Sequence, residues 1–529
     1  LKMRTFWKVV LLLLLLSAVP ALLNLHFALS RDYLNGKDAS HASSITQSPL
    51  LRVERNDTAV GEAQVKCPPT LTEPVDAVDP VDGRLKVKRP FMGTVSHSMM
   101  DSINRIENWR KPSPECSAFG GVTYMNNIID SARPLLGKDG MSQIISYKRN
   151  NFEIYEAENV SLLVTVKKEG EDPDKNDFLL EVDGQFNPNS KPAGKGDHVL
   201  NVITNTIAHS SGGLAQCQEY FEYPVFLLES NLDPWNWWWF LMALLKQYIV
   251  LAVVQPNVMG DYTNDLRVLH TLPSRGRTGY ERSFNDAFDF LFADRWGRNS
   301  RQVWKETPHA TTTHNGITTK RYCFRKLVWS PDAISGSGEI LINRQHRHSH
   351  CFSSIVYSYA AYLKAALHIP TLPRPEKPTV VWVGRDTSRD ANAHFWQTQR
   401  IINNQNEAIE FLKEQCNIKG CELIVADFYG DKKETAFQEQ ALFVSKANIM
   451  MGVHGAGLNM FHFLPFDSVV VEIHATGTTV QKNSANYVNH IQEGKYIAVT
   501  GAINQNNLNL NKVGNALEDA MNEWAMMAK

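Results

Sequence analysis

Short apolar runs alternate with segments of helical spacing throughout residues 379–529. Each run is too short for a helix and is bounded by polar or glycine-rich residues, which favours buried strands. Because strands that alternate with helices form βα units, the pattern predicts a parallel sheet covered by helices on both faces. The predicted strands are 379–383, 422–428, 448–453, 468–474 and 496–500, and the predicted helices are 401–414, 435–447 and 512–527.

The pattern is less regular in residues 67–368, where candidate strands lie at 160–166, 198–204 and 248–254. An apolar stretch over 237–254 is interrupted by Lys246 and Gln247. We interpret it as a buried helix followed by a strand rather than as a membrane span.

Proline-rich sequence separates the two patterns. Four prolines between residues 368 and 378 prevent a regular helix or a central strand, which predicts a linker over 369–378. The chain would then consist of an N-terminal domain, 67–368, and a C-terminal domain, 379–529.

The beginning of the chain has the pattern of a membrane anchor. Three basic residues precede an apolar run from residue 9 to residue 23, which continues more weakly to residue 31. This arrangement predicts a cytosolic tail and signal-anchor helix over 1–31, followed by a polar stem over 32–66. A cleaved signal peptide, with Val19 and Ala21 before the cut, is the alternative. Both interpretations place the rest of the chain in a secretory lumen.

Composition adds a few limits. A formal net charge of -1 gives no electrostatic reason to expect nucleic-acid binding.

Seven cysteines permit a few disulfides in an oxidising compartment. Cys416 and Cys421 are close enough to bridge across a turn, the alternative being two buried thiols. Asn56 and Asn159 begin Asn-x-Ser/Thr sequons, which predict N-glycosylation in a luminal protein.

The strongest local signal for chemistry is the segment IMMGVHGAGLNMFHF, residues 449–463, which contains a glycine-rich turn over 452–459. A buried strand enters the turn and a helix is predicted to leave it, so the N–H groups of Gly455, Ala456 and Gly457 could bind phosphate. A tight turn without a ligand is the alternative. His454 favours a binding site, because a turn alone needs no titratable side chain.

Two further groups follow other strands of the same predicted sheet. Glu472 lies near the carboxyl end of its strand, where a carboxylate can accept hydrogen bonds from a ribose, and Thr478 follows it. The alternative for Glu472 is a solvent-facing glutamate at a strand end. Arg385 and Arg389 follow the first strand and could bind a diphosphate, unless they are ordinary surface arginines. Because the carboxyl ends of parallel strands share one edge, these groups predict a nucleotide site there.

Two patterns that could bind a metal are weaker. His346, His348 and His350 alternate along the chain, but no carboxylate lies between them and two arginines adjoin them. Asp172 and Asp174 have Asp-x-Asp spacing within a charged loop that does not follow a strand. We therefore predict no metal site.

Several of these segments together resemble glycosyltransferase family 61. The glycine-rich turn over 452–459 carries most of the resemblance, with Asn459 at its end. The other matching segments are Phe463-Leu464-Pro465, 468–473, Phe437-Gln438-Glu439-Gln440, Val383-Gly384-Arg385 with Arg389, and 322–326.

The resemblance implies an α/β protein of GT-B type, with two Rossmann-like domains facing a cleft behind the anchor and stem. It also implies an inverting transferase of the Golgi or endoplasmic reticulum that uses a nucleotide sugar without an obligatory metal. Xylose, arabinose or N-acetylglucosamine would pass from a donor such as a UDP-sugar to a hydroxyl of a glycan or glycoprotein.

In one segment the chain departs from the family pattern. The family has a histidine and an aspartate where this chain has Trp239 and Ala243. We therefore assign the catalytic roles to His454 and, as acceptor-side bases, to Asp233 or Glu229. A glycan- or nucleotide-binding protein with weakened activity is the alternative function.

Overall fold

A computed structural model represents the protein. It describes residues 99–136, 140–150, 152–166, 177–187, 203–204, 206–209, 217–228, 237–258, 267–270, 301–303, 312–314, 317–331, 340–341, 350–384, 402–426, 437–475 and 483–527. The predicted anchor and stem lie outside these ranges. None of the described helices has the length and apolar character needed to cross a membrane.

The first sheet contains ten strands within the described residues. They are β1 (Arg133–Pro134), β2 (Gln143–Arg149), β3 (Phe152–Val166), β4 (Asp177–Val182), β5 (Ala208–His209), β6 (Glu219–Leu228), β7 (Arg267–His270), β8 (Arg301–Val303), β9 (Thr312–His314) and β10 (Ile317–Trp329). The order is β1-β2-β3-β10-β6-β7-β8, with β4 beside β3, β5 beside β4 and β9 beside β10.

Strand β10 divides this sheet into two kinds of pairing. It runs antiparallel to β3 and parallel to β6, and β6, β7 and β8 continue in parallel. The candidate strand at 160–166 is confirmed as part of β3. Of the candidate at 198–204, only Ile203 and Thr204 lie within the described residues, and they are helical. The first sheet is therefore mixed: among the described strands, parallel pairing runs through β10-β6-β7-β8 and also joins β4 to β5, and the other pairs are antiparallel.

Five helices accompany the first sheet in the described part of the chain. They are α1 (Met99–Trp109), α2 (Pro114–Gly120), α3 (Val122–Ile129), α4 (Trp237–Val258) and α5 (Ser354–Ala366).

Helix α4 corrects one prediction, because residues 248–254 continue the helix and do not form a strand. Four of the seven residues in 248–254 are β-branched, which favours a strand, so burial within a long apolar segment rather than local propensity decides for the helix. Lys246 does not interrupt it, since its buried Nζ atom donates a hydrogen bond to the Ser330 carbonyl at 3.0 Å.

The second sheet has six strands within the described residues, in the order β12-β11-β13-β14-β15-β16. All pairs are parallel except the final β15–β16 hairpin. The five predicted strands and three predicted helices are confirmed, with ends shifted by several residues. The elements are β11 (Thr379–Val383), α6 (Gln405–Lys419), β12 (Glu422–Ala426), α7 (Phe437–Val444), β13 (Ile449–Val453), β14 (Val469–Ala475), α8 (Asn483–Ile491), β15 (Lys495–Asn504), β16 (Asn507–Leu508) and α9 (Leu510–Met526).

A shared apolar core joins one face of each sheet to the helices between them. Ile154 and Phe226 of the first sheet belong to the same buried cluster as Val381 and Val470 of the second. The ring of Tyr357 in α5 stacks on Phe466 at 4.3 Å. Separate cores cover the opposite face of each sheet. The chain from 369 to 378, predicted as linker, contains no helix or strand.

Candidate active site

The carboxyl ends of β11 and β13 meet where the strand order of the second sheet reverses. Strand β12 pairs with one edge of β11, and β13 pairs with the other. In open parallel sheets, ligands bind in the crevice outside the strands at this switch point. Val383, the last residue of β11, lies opposite Gly452 of β13. The glycine-rich turn therefore begins beside the end of β11.

Gly452 allows this turn to lie close to β11. A Cβ atom at Gly452 would lie 3.0 Å from the Val383 carbonyl oxygen and 3.1 Å from its Cβ atom. A Cβ atom at Gly457 would lie 3.5 Å from Val383 Cγ1. A larger residue at Gly452 would press on a central strand, so the glycine is required by packing as well as by any ligand.

His454 is the first side chain after β13 and is partly accessible. Its side chain is 23% exposed, and its Nδ1 atom lies 2.5 Å from Glu472 Oε1. Its backbone N–H donates to the Ile473 carbonyl at 2.9 Å. Two contacts with β14 thus fix both the backbone and the ring of His454 at the edge of the sheet.

Glu472 is buried, and each of its oxygens has a partner. Its relative exposure is 1%, and Oε2 accepts a hydrogen bond from the Tyr496 hydroxyl at 2.7 Å. Burial alone would raise the pKa of this carboxyl. The hydrogen bonds from His454 and Tyr496 and the attraction of His454 and His474 nevertheless hold the pKa below its usual value. Glu472 is therefore an ionised carboxylate inside the protein.

His474 completes the cluster from the same strand as Glu472. Its ring stacks on that of His454 at 5.2 Å, and its Nε2 atom lies 3.5 Å from the Tyr496 hydroxyl. Alternate residues of β14, including Val471 and Ile473, belong to the core on the opposite face. Because side chains alternate along a strand, Glu472 and His474 share the face that carries Val470 and the core between the sheets.

The helix after the turn differs from the expected α-helix. It is a 3₁₀ helix, Ala456–Phe463, and Asn459 within it is 6% exposed. His462 is 1% exposed and its Nδ1 atom lies 2.8 Å from the Asn459 carbonyl. Burial lowers the pKa of His462 to about 3, although the hydrogen bond to Asn459 opposes that shift. His462 is thus a neutral core residue, whereas His454 lies at the edge.

Several predicted residues lie outside the described part of the chain. Among the proposed catalytic residues these are Asp233 and Glu229, and among the donor-binding residues Arg385, Arg389 and Thr478. Asn56, Asp172, Asp174, His346 and His348 also lie outside it. Along the sequence, Glu229 directly follows β6 and Arg385 follows Gly384, the residue after β11.

Two residues of the cluster, His474 and Tyr496, were not predicted as site residues from the sequence. Both lie in or beside strands that the pattern predicts, but nothing in the pattern indicates which side chains meet across β14 and β15. The order of the βα units could have suggested that these two strands are neighbours.

Three disulfides occur among the described residues. Cys416 and Cys421 form one, which the sequence had left open as a bridge or two thiols. The other two, Cys116–Cys351 and Cys217–Cys323, join residues 235 and 106 positions apart. No short-range spacing signals such pairs.

One histidine of the alternating series, His350, is described. It forms with Cys116 and Cys351 the one group of potential metal ligands gathered within the described residues. Because both cysteines are in a disulfide with each other, their sulfur atoms are not thiolate ligands.

Asn159, the described sequon residue, lies in β3 at an irregular position. Its φ is 51°, and its side-chain Nδ2 atom donates to the Met141 carbonyl at 3.1 Å. Ser161, the third residue of the sequon, is buried and donates to Glu181 at 2.9 Å.

Comparison with known proteins identifies the region that contains this site. Residues 246–471 match the family model described as Glycosyltransferase 61. No curated protein matches the chain. The matched region includes the glycine-rich turn and His454, while Trp239 and Ala243 precede it. This match confirms, over residues 246–471, the resemblance to glycosyltransferase family 61 that was stated from the motifs.

Proposed function

We propose that the protein is an inverting glycosyltransferase that uses a nucleotide diphosphate sugar, with UDP as the expected nucleotide. The family match supports glycosyltransferase activity. The observation that carries the finer proposal is the position of His454, partly exposed at the switch point of a parallel sheet and held by a buried carboxylate. Such a position suits a group that contacts a bound nucleotide sugar.

In this proposal, the donor diphosphate binds the N–H groups of Gly455–Gly457 together with Arg385. Arg389, Asn459 and Thr478 would complete the donor side. His454 would contact the diphosphate or the sugar. The sequence suggested a ribose contact for Glu472, but its burial and its bonds to His454 and Tyr496 favour an indirect role.

The acceptor hydroxyl would enter from the first sheet, in the two-domain cleft of a GT-B protein. An inverting transfer requires a base that takes the proton of that hydroxyl as it attacks the anomeric carbon. Glu229 and Asp233 remain the proposed bases, because they follow the carboxyl end of β6 in the sequence. Neutralisation of the leaving diphosphate by Arg385 would make a metal unnecessary.

We further propose that the protein works in the lumen of the Golgi or endoplasmic reticulum, behind a single-pass type II anchor, on a glycan or glycoprotein. Three disulfides among the described residues support an oxidising compartment. Glycosylation at Asn56 and Asn159 belongs to the same proposal.

The test is a thermal melt of the full-length chain with a panel of nucleoside diphosphates and their sugars, with and without chelator. We expect one nucleotide to raise the melting temperature in both conditions, since ligands that bind only the folded state stabilise it. His454→Ala and Arg385→Ala should abolish the shift. His368→Asn is the matched control, because His368 is exposed with a φ of 54° that asparagine tolerates. No shift with any nucleotide would contradict the proposal.

A nucleotide-binding protein with weakened turnover is the second candidate. The departures at Trp239 and Ala243 favour it, and Ala243 is 3% exposed within α4. Nucleotide binding without sugar transfer or donor hydrolysis would support this candidate over the transferase.

A further inference from the structure

Three side chains at the end of helix α8 bind backbone carbonyl groups of segments that precede α5. Asn486 Nδ2 donates to the Leu341 carbonyl at 2.8 Å, and Gln492 Nε2 donates to the His350 carbonyl at 2.6 Å. The third side chain, His490, contacts two further carbonyls. These three residues, which we call the α8 clasp, join the region of the second sheet to residues 340–341 and 350–351.

Both ring nitrogens of His490 face carbonyl oxygens. Nδ1 lies 2.7 Å from the Cys351 oxygen, and Nε2 lies 3.0 Å from the Ile340 oxygen. His490 is 1% exposed, and its own backbone carbonyl accepts a hydrogen bond from the Ser353 N–H at 3.0 Å. The ring is therefore buried at a fixed place between two acceptors.

These two contacts bear on the number of hydrogens that the ring carries. A carbonyl oxygen only accepts hydrogen bonds, whereas a neutral imidazole has one N–H group and one bare nitrogen. In the neutral form, one nitrogen of His490 would therefore face a carbonyl oxygen without a hydrogen between them, which is unfavourable in a buried position. A second ring hydrogen would convert both contacts into charge-assisted hydrogen bonds.

The position of His490 along its helix also favours a positive charge. It lies in the last turn of α8, where the negative end of the helix dipole stabilises cations. Burial acts in the opposite direction, because it disfavours the charged form. His462 provides the comparison within this protein. It is also 1% exposed, one of its nitrogens lies 2.8 Å from a carbonyl oxygen, and burial lowers its pKa to about 3. The second carbonyl is what distinguishes His490.

Titratable groups on the neighbouring elements act on His490 in both directions, since carboxylates favour a cation there and basic groups oppose it. Glu493 follows α8 and accepts a hydrogen bond from Tyr357 of α5 at 2.9 Å. Within the described residues, the titratable groups on α8 and on the elements that contact it are Glu115 of α2, His350, Tyr357, Tyr359, Tyr362 and Lys364 of α5, Tyr487 of α8, Glu493, and Lys495 and Tyr496 of β15.

We propose that His490 is an imidazolium that donates to both carbonyls, and that the α8 clasp is a pH-dependent joint between α8 and residues 340–341 and 350–351. Loss of one ring hydrogen would break one contact and weaken the joint. Because the folded protein would hold this hydrogen more tightly than the unfolded chain does, the stabilisation is present at low pH and is lost as the pH rises through the folded-state pKa. This inference does not depend on the proposed donor site.

The first readout is the titration of His490 in the unaltered full-length chain. Deuterium exchange at carbon 2 of an imidazole depends on its protonation, and mass spectrometry follows each histidine in its own peptide. We expect the midpoint for His490 to lie above about 6.5, the ordinary value for histidine. His462 is the internal control, and it should show no midpoint in the range of the ordinary value, because its pKa is about 3.

The second readout is the pH dependence of stability in His490→Gln. Glutamine has one donor end and one acceptor end, so it imitates the neutral form of histidine. The urea midpoint of the unaltered chain should exceed that of His490→Gln at about pH 6, and the two should approach each other by about pH 8.

The matched controls remove clasp contacts that do not titrate. Asn486→Ala and Gln492→Ala each delete a side-chain amide that donates to a carbonyl. Each variant should lower the urea midpoint by the same amount at every pH in this range. His462→Gln, which alters the other buried histidine, should likewise give a loss that does not change with pH.

Either readout alone decides the proposal, so it stays testable if His490→Gln impairs folding. A His490 midpoint above the ordinary value, or a loss in His490→Gln that shrinks as the pH rises, would support the pH-dependent joint. A midpoint at or below about 6.5 would overturn it. A loss in His490→Gln that is constant with pH, as in Asn486→Ala, would overturn it as well.

Discussion

The two sheets bury polar groups in different ways. In the second sheet, β11 and β13 contain no charged residue, and the buried charge of β14 is confined to Glu472 and its partners at the site. In the first sheet, charges lie within the strands themselves. Lys326 of β10 contacts Glu156 at 3.0 Å and Glu158 at 2.9 Å, and Arg321 contacts Glu181 at 3.0 Å.

This difference explains why the strands of the second sheet could be predicted from the sequence, whereas most strands of the first sheet could not. Parallel strands covered on both faces must be apolar along their length, so they appear as continuous runs. Strands whose charges are neutralised by partners more than a hundred residues away show no such run. On this contrast, we propose that the buried polar residues of β14 serve function, whereas the charged residues within the strands of the first sheet have structural partners.

The test with the largest expected effect uses two variants, each of which replaces a core tryptophan of one sheet with alanine. Trp329 and Trp382 are both 0% exposed, and truncation of such residues to alanine should cost about 3–5 kcal/mol each. Because Ile154 and Val381 belong to one shared core, either variant should shift a single unfolding transition. Urea titrations followed by circular dichroism would check this. Two transitions, of which each variant moves only one, would show that the sheets unfold independently.

The sequence predicted the five parallel strands of the second sheet, because each of these strands is a local signal. It failed at residues 248–254, where an apolar run of strand length belongs to a helix that is buried at every position from 240 to 254. Periodicity alone does not separate these two cases. The mixed pairing around β10 was also beyond prediction, since it depends on contacts between β3, β6 and β10.

At the site, sequence identified the glycine-rich turn, His454 and Glu472, but interpreted Glu472 incompletely. A glutamate at a strand end can point to solvent, to a ribose or to a neighbouring side chain, and local sequence does not distinguish these. In the structure Glu472 is buried and bonded to His454 and Tyr496, so it does not point to solvent.

The disulfides provide the second test of the comparison between the two sheets. Cys217–Cys323 joins residues 106 positions apart in the first sheet, whereas Cys416–Cys421 joins residues five positions apart at the C-terminal end of α6. The chain-entropy relation gives about 5 kcal/mol for the long loop and about 2 kcal/mol for the short one, with measured values often lower. Paired Cys→Ala variants should therefore differ by roughly 2 kcal/mol or more in unfolding free energy. Equal losses would show that loop length does not set the contribution of these bridges.

The ion pairs of the first sheet provide the third test. Lys326→Met leaves Glu156, which is 3% exposed, without its cation and should cost about 2–3 kcal/mol. Lys413→Ala is the control, because Lys413 and Glu410 are 51% and 70% exposed and such pairs contribute less than about 1 kcal/mol. Denaturant midpoints of both variants would check the difference. If Lys326→Met lost no more unfolding free energy than Lys413→Ala, the charges within the strands would have no structural role.

The smallest expected effect is a change in the pH dependence of stability at the site. The pKa of Glu472 is lowered in the folded protein, so its contribution is present above the ordinary value of 4.5 and is lost as pH falls through the lower folded value. His454, His474 and Tyr496 are the titratable groups that face it. Urea midpoints measured from about pH 7 to about pH 3 should fall less steeply below pH 4.5 in Glu472→Gln than in the unaltered chain. Glu410→Gln, which alters a largely exposed carboxyl, should follow the unaltered chain. If Glu472→Gln followed it as well, the carboxylate would contribute no pH-dependent stability, and the proposed contrast between a functional charge in one sheet and structural charges in the other would then depend on the nucleotide-binding measurements alone.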